Sequence, residues 1–158
     1  MQLRIDHGEP SDAPIIAQMV GELLQEIMAM VGTRSFGFHQ EETEARARSW
    51  MTKGTYSVLL ARDGAQPDPL GLLALYESYP LYSEGAYGTI PEFYVRQPYR
   101  SQGVWAALLM EAKEVGRLKG WTRLEVTTPP LPQFDRTLVF YQQQGFSISG
   151  GRKLKVNL

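Results

Sequence analysis

The spacing of apolar residues predicts three helices in the first 120 positions of the chain. Apolar side chains recur every three or four residues from Ile16 to Met30, which predicts an amphipathic helix capped by Ser11. The charged segment 41–50 predicts a second, solvated helix. Apolar positions return at a helical spacing after Gly103, and Gly120 is placed to end that third helix.

Shorter apolar segments, bounded by glycine, proline and aspartate, predict strands. In chain order they are residues 3–6, 56–61, 70–79, 89–95 and 121–127, followed by a closing hairpin of residues 146–149 and 153–156. A short helix precedes that hairpin, from residue 134 or 135 to residue 144. Helices and strands are mixed rather than strictly alternating, and no linker or internal repeat separates them. We therefore expect a single α/β domain of the α+β kind spanning residues 1–158.

The junction between the strand ending at Val95 and the helix beginning near Gly103 is a candidate binding site. The first N–H groups of a helix have no acceptor within the helix, and the helix dipole makes that end partly positive. Arg100 adds a fixed charge, and Ser101 and Gln102 add further N–H donors. This combination suits a phosphate or pyrophosphate. A strand-turn-helix junction with one glycine also occurs in most α/β domains, so both interpretations stand at this point.

The same junction resembles the Arg/Gln-x-x-Gly-x-Gly/Ala signature of the GNAT superfamily of N-acyltransferases. Its six residues are Arg100-Ser101-Gln102-Gly103-Val104-Trp105. As in that family, a hydrophobic-Val pair (Tyr94-Val95) and a Pro-Tyr pair (Pro98-Tyr99) precede the signature. Trp105 departs from the family, which usually has glycine or alanine there, and its indole either narrows the turn or points away from it.

This resemblance, which extends over nearly the whole chain, implies a mixed, mostly antiparallel central sheet flanked by helices. It also implies acetyl-coenzyme A as co-substrate. The backbone N–H groups from Ser101 to Trp105, with the Arg100 side chain, would then hold the pyrophosphate of the coenzyme. The backbone of Phe93, Tyr94 and Val95 would pair with its pantetheine arm.

A second resemblance lies in residues 138–146, which match the aromatic-Tyr-x-x-x-Gly-Phe run of the family's C-terminal motif. In much of the family this tyrosine, here Tyr141, protonates the departing thiolate, and a phenol is protonated at neutral pH as that role needs. Otherwise Tyr141 is a half-buried aromatic residue. The family often carries asparagine seven residues earlier, where this chain has Phe134, and nearby Arg136 is a candidate contact for a coenzyme phosphate.

Glu92 is the candidate general base, because an amine must lose a proton to attack a thioester. In several branches of the family a glutamate stands at this place on the strand before the phosphate-binding turn. An ordinary glutamate is a weak base, so Glu92 would need burial or an intervening water. Pro91 cannot donate to a sheet ladder, so the strand is expected to be irregular or open on one side here. The alternative is that Glu92 faces solvent.

Composition narrows the remaining possibilities. The net charge is −1, which favours neither nucleic acid nor an anionic membrane, and the chain has no cysteine and two histidines. There is no P-loop, no metal-ligand spacing and no nucleophile motif, so we expect no metal. The N-terminus lacks the pattern of a signal peptide and no apolar segment approaches a membrane-spanning length, so we expect a cytoplasmic protein.

The sequence thus predicts an enzyme, an N-acetyltransferase acting on a small-molecule primary amine. Two aromatic loops, residues 31–40 and 79–87, would border the acceptor and contribute Phe36, Tyr79 and Tyr82, although Phe36 could equally fasten its loop to the core. One alternative is a non-catalytic acyl-coenzyme A-binding module, which Trp105 and Phe134 favour. Another is a protein N-acetyltransferase acting on an N-terminus or lysine. A homodimer is possible and undecided.

Overall fold

A computed structural model describes residues 1–34 and 36–158, so Ser35 of the predicted 31–40 loop lies outside the described residues. The chain divides into two compact units, Met1–Thr127 and Thr128–Leu158. The first unit contains β1 (Leu3–His7), α1 (Ala13–Val31), α2 (Gln40–Thr52), β2 (Ser57–Asp63), β3 (Gly71–Ser78), β4 (Tyr87–Ile90), β5 (Phe93–Val95), α3 (Val104–Lys119) and β6 (Leu124–Val126). The second unit contains α4 (Asp135–Gln143).

The six strands form one sheet in the order β1-β2-β3-β4-β6, with β5 also paired to β3. Every pairing is antiparallel except that of β4 with β6, which is parallel. The expected mixed, mostly antiparallel sheet is therefore confirmed. The parallel pair follows from the connection, because α3 returns the chain to the sheet in the same direction.

The core lies on both faces of the central strands. Consecutive residues of β2 and β3 are buried, as in strands that are covered on both sides. Alternate residues of these strands, such as Leu60 and Leu72, join a cluster with Ile16 and Met19 of α1 and Ala47 of α2. The helix α3 packs against the same two strands. Residues of opposite parity in a strand face opposite sides of the sheet, so α3 covers the other face.

The segment predicted as one strand, 89–95, is two strands separated by a β-bulge. Thr89 pairs with Tyr76 and Phe93 pairs with Leu73, so three residues of the β4–β5 segment face only two of β3. The extra residue falls next to Pro91, where the sequence predicted an irregular or open strand. As a result β4 pairs with β6 as far as Ile90, and the described pairings of β5 are with β3 alone.

Two local predictions are wrong. Ser11 does not cap α1, because residues Pro10–Asp12 form a 3-10 turn and Asp12 takes the N-cap position. The closing hairpin is also absent, since residues 144–158 contain no strand. Ile148, Leu154 and Val156 in that segment are exposed, so strand alternation there would bury no apolar face and gain little to offset the ordering of the chain.

The expectation that no apolar segment reaches membrane-spanning length is wrong as well. Residues Pro10–Val31 are long and apolar enough to span a membrane by length and composition. A core helix meets the same criterion, and α1 buries residues such as Ile16, Met19 and Ile27. Its Glu22 and Glu26 form ion pairs with two arginines of the chain.

Replacing Gly71 by alanine is expected to destabilise the fold by about 2 kcal/mol or more, because overpacking against a rigid neighbour strains the backbone. A Cβ at Gly71 would lie 2.7 Å from the carbonyl oxygen of Tyr94 and 3.1 Å from Val95 Cγ2. Urea unfolding at equilibrium measures the loss. Gly150→Ala is the control, because a Cβ there meets nothing within 4 Å. Equal stability of the two variants would contradict the tight β3–β5 contact.

Candidate active site

The turn that leads into α3 places two residues in the left-handed backbone region. Ser101 has φ 62° and Gly103, the N-cap of α3, has φ 83°. Serine seldom adopts a positive φ, and such strained positions concentrate at binding and catalytic sites. Left-handed residues within a turn direct successive N–H groups to one side, which makes an anion-binding concavity. We call residues 100–105 the α3 turn.

The N–H groups at the start of α3 lie ahead of its hydrogen-bonded part. The first bond of the helix runs from the Ala107 N–H to the Gly103 carbonyl, at 3.0 Å. The amides of Val104 and Ala106 therefore have no acceptor within the helix. A Cβ built on Gly103 meets nothing within 4 Å, so the space in front of the turn is open. These observations fit a phosphate group, as the sequence predicted.

Two carboxylates of α1, one helical turn apart, form ion pairs with arginines in the α3 turn and just before it. Glu22 accepts from Arg96 Nε at 3.0 Å and from Arg96 Nη2 at 2.9 Å, a bidentate pair. Glu26 pairs with Arg100 at 2.8 Å, and Arg100 Nε donates to the Val95 carbonyl at 2.8 Å. The predicted phosphate contact of the Arg100 side chain stays a prediction, and the structure shows that its guanidinium already fastens the turn to α1.

The environment of Glu22 keeps it ionised. Burial by itself would raise the pKa of this carboxyl, but the hydrogen bond and the charge of Arg96 outweigh it and lower the pKa below the ordinary value of 4.5. The Tyr94 hydroxyl also donates to Glu22, at 3.2 Å. Burial, followed by the charge of Glu22, raises the pKa of Tyr94 to about 12, so the tyrosine remains a donor at neutral pH.

Some backbone groups of β5 point towards β3, and the others point away from it. Backbone groups of an antiparallel strand point alternately towards and away from a given neighbour. The Glu92 carbonyl accepts from Ala74 and the Arg96 N–H donates to Leu70, both at 2.9 Å, so the groups of Tyr94 between them also point towards β3. The predicted pantetheine contact through the Tyr94 backbone is therefore corrected, because the ladder with β3 uses those groups. The backbone groups of Phe93 and Val95 point away from β3, as the contact needs, and the Val95 carbonyl already accepts from Arg100 Nε.

The indole of Trp105 packs on the sheet. Its ring lies 4.6 Å from the ring of Phe93, tilted by 58°. The large residue in the signature is therefore accommodated by a partner on β5, and the aromatic pair ties the first turn of α3 to that strand.

Glu92 lines a cavity of about 300 Å³ on the first unit. We call it the Glu92 cavity. Its seven lining residues are Trp50, Thr55, Tyr56, Tyr76, Glu77, Pro91 and Glu92. The volume is at the lower end of the range for small-molecule sites. The bulge puts Glu92 here, because the extra residue turns the chain between β4 and β5.

Burial raises the pKa of Glu92 above its ordinary value of 4.5, and the hydrogen bond from Tyr56 only partly opposes it. The Tyr56 hydroxyl donates to Glu92 Oε2. Burial first, and then the charge of Glu92, raises the pKa of Tyr56, so the phenol keeps its proton. A carboxylate with a raised pKa is a stronger base than an exposed one, which is the property that the predicted role of Glu92 requires.

The sequence analysis missed most of this cavity. Trp50 and Tyr56 were assigned to a solvated helix and to the start of a strand, and their rings in fact lie 5.9 Å apart. Tyr76 and Glu77 lie on β3 and were not singled out. The sequence signal for this pair is an aromatic residue, Trp50, at the end of a polar helix, followed closely by Tyr56. That signal does not indicate that residues of β3 lie beside them.

The three predicted acceptor residues are not among those that line the Glu92 cavity. Phe36, Tyr79 and Tyr82 are exposed, and the Tyr79 hydroxyl donates to Glu77. Phe38 fastens its loop to α1, since its ring would lie 2.6 Å from a Cβ at Gly21. Contacts of the three residues with an acceptor remain a prediction.

The second unit carries the remaining predicted residues. Tyr141 lies on α4 and is buried, which raises the pKa of its hydroxyl. Its ring makes edge contacts with Phe140 and Phe146, at 5.6 Å and 5.3 Å. Arg136 is exposed on the first turn of α4, and Phe134 takes the N-cap position. The roles of Tyr141 and Arg136 stay predictions.

The chain thus has an α/β fold in which a bulge divides one edge of the sheet, with β4 paired in parallel to β6, and a left-handed turn leads from β5 into α3. The sequence profile described as the Acetyltransferase (GNAT) family matches residues 22–146, which is most of the chain. The chain therefore belongs to the GNAT family of acetyltransferases, as predicted. No curated protein matches it by sequence.

Solved structures confirm the fold at low sequence identity. A probable acetyltransferase superposes with a TM-score of 0.76 at 19% identity, over 98% of this chain and 97% of the other. An aminoglycoside acetyltransferase from an uncultured soil metagenomic sample gives 0.76 at 19% identity, over 99% and 96%. A ribosomal-protein-alanine N-acetyltransferase from Brucella melitensis gives 0.73 at 15% identity over the full length of both chains.

Replacing Glu22 by glutamine is expected to cost about 1–2 kcal/mol of stability at pH 7, because the bidentate pair with Arg96 loses its charge. The pKa of Glu22 is lowered in the folded state, so its contribution is present above the unfolded pKa and is lost as the pH falls through the folded value. Urea unfolding measured at several pH values should show the difference between variant and parent shrinking on acidification. A difference that is constant with pH would contradict the charged pair.

Proposed function

We propose that this acetyltransferase transfers the acetyl group of acetyl-coenzyme A to a primary amine of a small molecule by direct attack. The amine nitrogen forms a C–N bond with the thioester carbonyl carbon, the C–S bond breaks, and coenzyme A leaves. The observation that supports this most is Glu92, a half-buried carboxylate with a raised pKa in a cavity of about 300 Å³.

In this proposal Glu92 takes the proton of the attacking amine, directly or through a water. Tyr141 supplies a proton to the departing sulfur, a role implied by its place in the family motif and suited to a phenol whose pKa is raised. The amides of the α3 turn hold the pyrophosphate, and the backbone of Phe93 and the N–H of Val95, which point away from β3, hold the pantetheine arm. Holding both reactants in place supplies much of the rate enhancement.

The size of the Glu92 cavity bears on the nature of the acceptor. One similar structure is named for aminoglycosides and another for a ribosomal protein, so the names of the relatives divide between small-molecule and protein acceptors. A cavity of about 300 Å³ lined by seven residues suits a small ligand. This favours a small-molecule amine over a protein N-terminus or lysine.

Glu92→Gln is expected to lower kcat for acetyl transfer by about 10²–10⁴-fold, the usual contribution of a general base. Release of coenzyme A thiol measures the rate, with no background because the chain has no cysteine. Since the base must be ionised and its pKa is raised, the parent should lose activity on acidification at a pH above 4.5. The variant, assayed with the same acceptor, should lack that limb.

A second variant tests the proposed role of Tyr141. Tyr141→Phe should also slow transfer while coenzyme A still binds, as calorimetry can show. Binding of acetyl-coenzyme A with no transfer to any amine of a broad panel would overturn the proposal and favour the non-catalytic binding module.

Gly103→Ala is expected to weaken coenzyme A binding, because it places a methyl group in the left-handed N-cap of the α3 turn. Binding is measured from the rise in melting temperature with added coenzyme A, since a ligand that binds only the folded form stabilises it. Gly120→Ala is the matched control: it has φ 73° against 83° for Gly103, open space around its Cβ, and lies at the opposite end of the same helix. Equal losses of binding in both variants would contradict the assignment of the turn.

A further inference from the structure

The hydroxyl of Tyr56 is the side-chain group that holds the proposed base, Glu92. It donates to Glu92 Oε2, and both residues line the Glu92 cavity. A hydrogen bond to an ionised carboxylate is about twice as strong as one between neutral groups. This bond therefore restricts the rotation of the Glu92 carboxyl group in the free protein.

Tyr56 is itself fixed from both sides, between the end of α2 and the start of β2. On the helix side, the N–H and the hydroxyl of Thr55 donate to the Trp50 carbonyl, at 3.1 Å and 3.2 Å. The ring of Tyr56 also packs against the ring of Trp50, with centroids 5.9 Å apart. On the strand side, Ser57 pairs with Leu75 of β3. A group can position another only if it is held in this way by its own neighbours.

The second carboxyl oxygen of Glu92, Oε1, is left for a ligand. Among the described residues, the hydrogen bond to the Glu92 side chain is the one that Tyr56 makes to Oε2. In the same part of the chain, no buried side-chain oxygen or nitrogen is without a partner. Oε1 is therefore accessible from the cavity, while Oε2 is occupied by Tyr56.

The ionisation of Glu92 is set by burial and by Tyr56. Burial raises the pKa of Glu92 above 4.5 and the hydrogen bond from Tyr56 lowers it, with no contribution from a charged side chain of the described residues. Of the other titratable lining residues, Tyr76 lies on the same face of the sheet, whereas Glu77 directs its carboxyl to the opposite face and accepts from Trp121 Nε1 at 2.6 Å. Loss of the Tyr56 hydroxyl would leave the effect of burial unopposed.

We propose that Tyr56 is the positioning residue of the base: it holds Glu92 by Oε2 and thereby presents Oε1 to the acceptor amine. The inference rests on the proposed acetyl transfer and adds the residue that orients the proton acceptor. As the C–N bond forms, the amine proton passes to Glu92 Oε1. Tyr56 keeps its own proton, because burial and then the charge of Glu92 raise its pKa. Tyr56 thus acts through Glu92.

Tyr56→Phe tests the inference, because it removes the hydroxyl and keeps the ring that packs against Trp50. Carbon-13 NMR of the free variant should show the Glu92 carboxyl titrating about one pH unit or more above its value in the parent, since a hydrogen bond that lowers its pKa is lost. The acid limb of kcat/KM should move to higher pH by the same amount, which a general loss of stability would not cause. Tyr76→Phe removes another hydroxyl from the cavity wall and is the matched control, which should leave both midpoints in place.

A Glu92 titration and an acid limb that are the same in Tyr56→Phe and the parent overturn the inference and leave the proposed function standing. If no amine is acetylated, the proposed function fails instead, and the NMR titrations alone decide whether Tyr56 holds Glu92. If Tyr56→Phe does not fold, the parent decides: the Tyr56 Cζ resonance should change with the same midpoint as the Glu92 carboxyl. A resonance that does not follow Glu92 overturns the inference.

Discussion

One extra residue between β4 and β5 determines how the site is arranged. Strand pairing with β3 is interrupted where three residues face two, and Pro91 within this segment has no N–H to donate to the ladder. Two consequences follow from this single irregularity. Glu92 is carried into a cavity where burial raises its pKa, and β5 separates from the β4–β6 pair, which leaves an edge for a ligand. The carboxylate that we propose as the base and the strand edge that we propose for the coenzyme are thus products of the same bulge.

Electrostatic contacts from α1 support the other half of the site. Glu22 and Glu26 are one helical turn apart and bind Arg96 and Arg100, which lie four residues apart at the end of β5 and in the α3 turn. Each pair is partly buried, so it is screened less than a surface pair. Ser101 is kept in a left-handed conformation between these anchors and α3. The two ion pairs therefore fasten to α1 the segment that leads into the strained turn.

The sequence predicted features that depend on single residues, and it did not predict contacts between side chains that are distant in the chain. Gly120 as the end of α3 and the irregularity at Pro91 depend on the conformational limits of single residues, which a sequence states directly. The contact between Tyr56 and Glu92 joins positions 36 apart and has no local signal. The ion pair of Arg100 with Glu26 is of the same kind.

The closing hairpin, which was predicted and is absent, shows that a local pattern can also predict structure that does not form. Residues 146–149 alternate in polarity as a strand would, yet the pattern cannot reveal whether a partner surface exists to bury it. With Ile148 exposed, the alternation has no energetic consequence. The family motifs compensated for part of this limit, because they singled out Tyr141 and the α3 turn as candidates. They did not indicate the residues that surround Glu92.

If the bulge buries Glu92 and makes it a base, the pKa of its carboxyl group is raised, and this pKa can be measured. Carbon-13 NMR of the side-chain carboxyl groups across a pH titration of the free protein gives that value. A buried Glu92 carboxyl is expected to titrate above the ordinary value of 4.5. Titration at or below 4.5 would show that the carboxyl is well solvated or paired, and the bulge would then not make Glu92 a base.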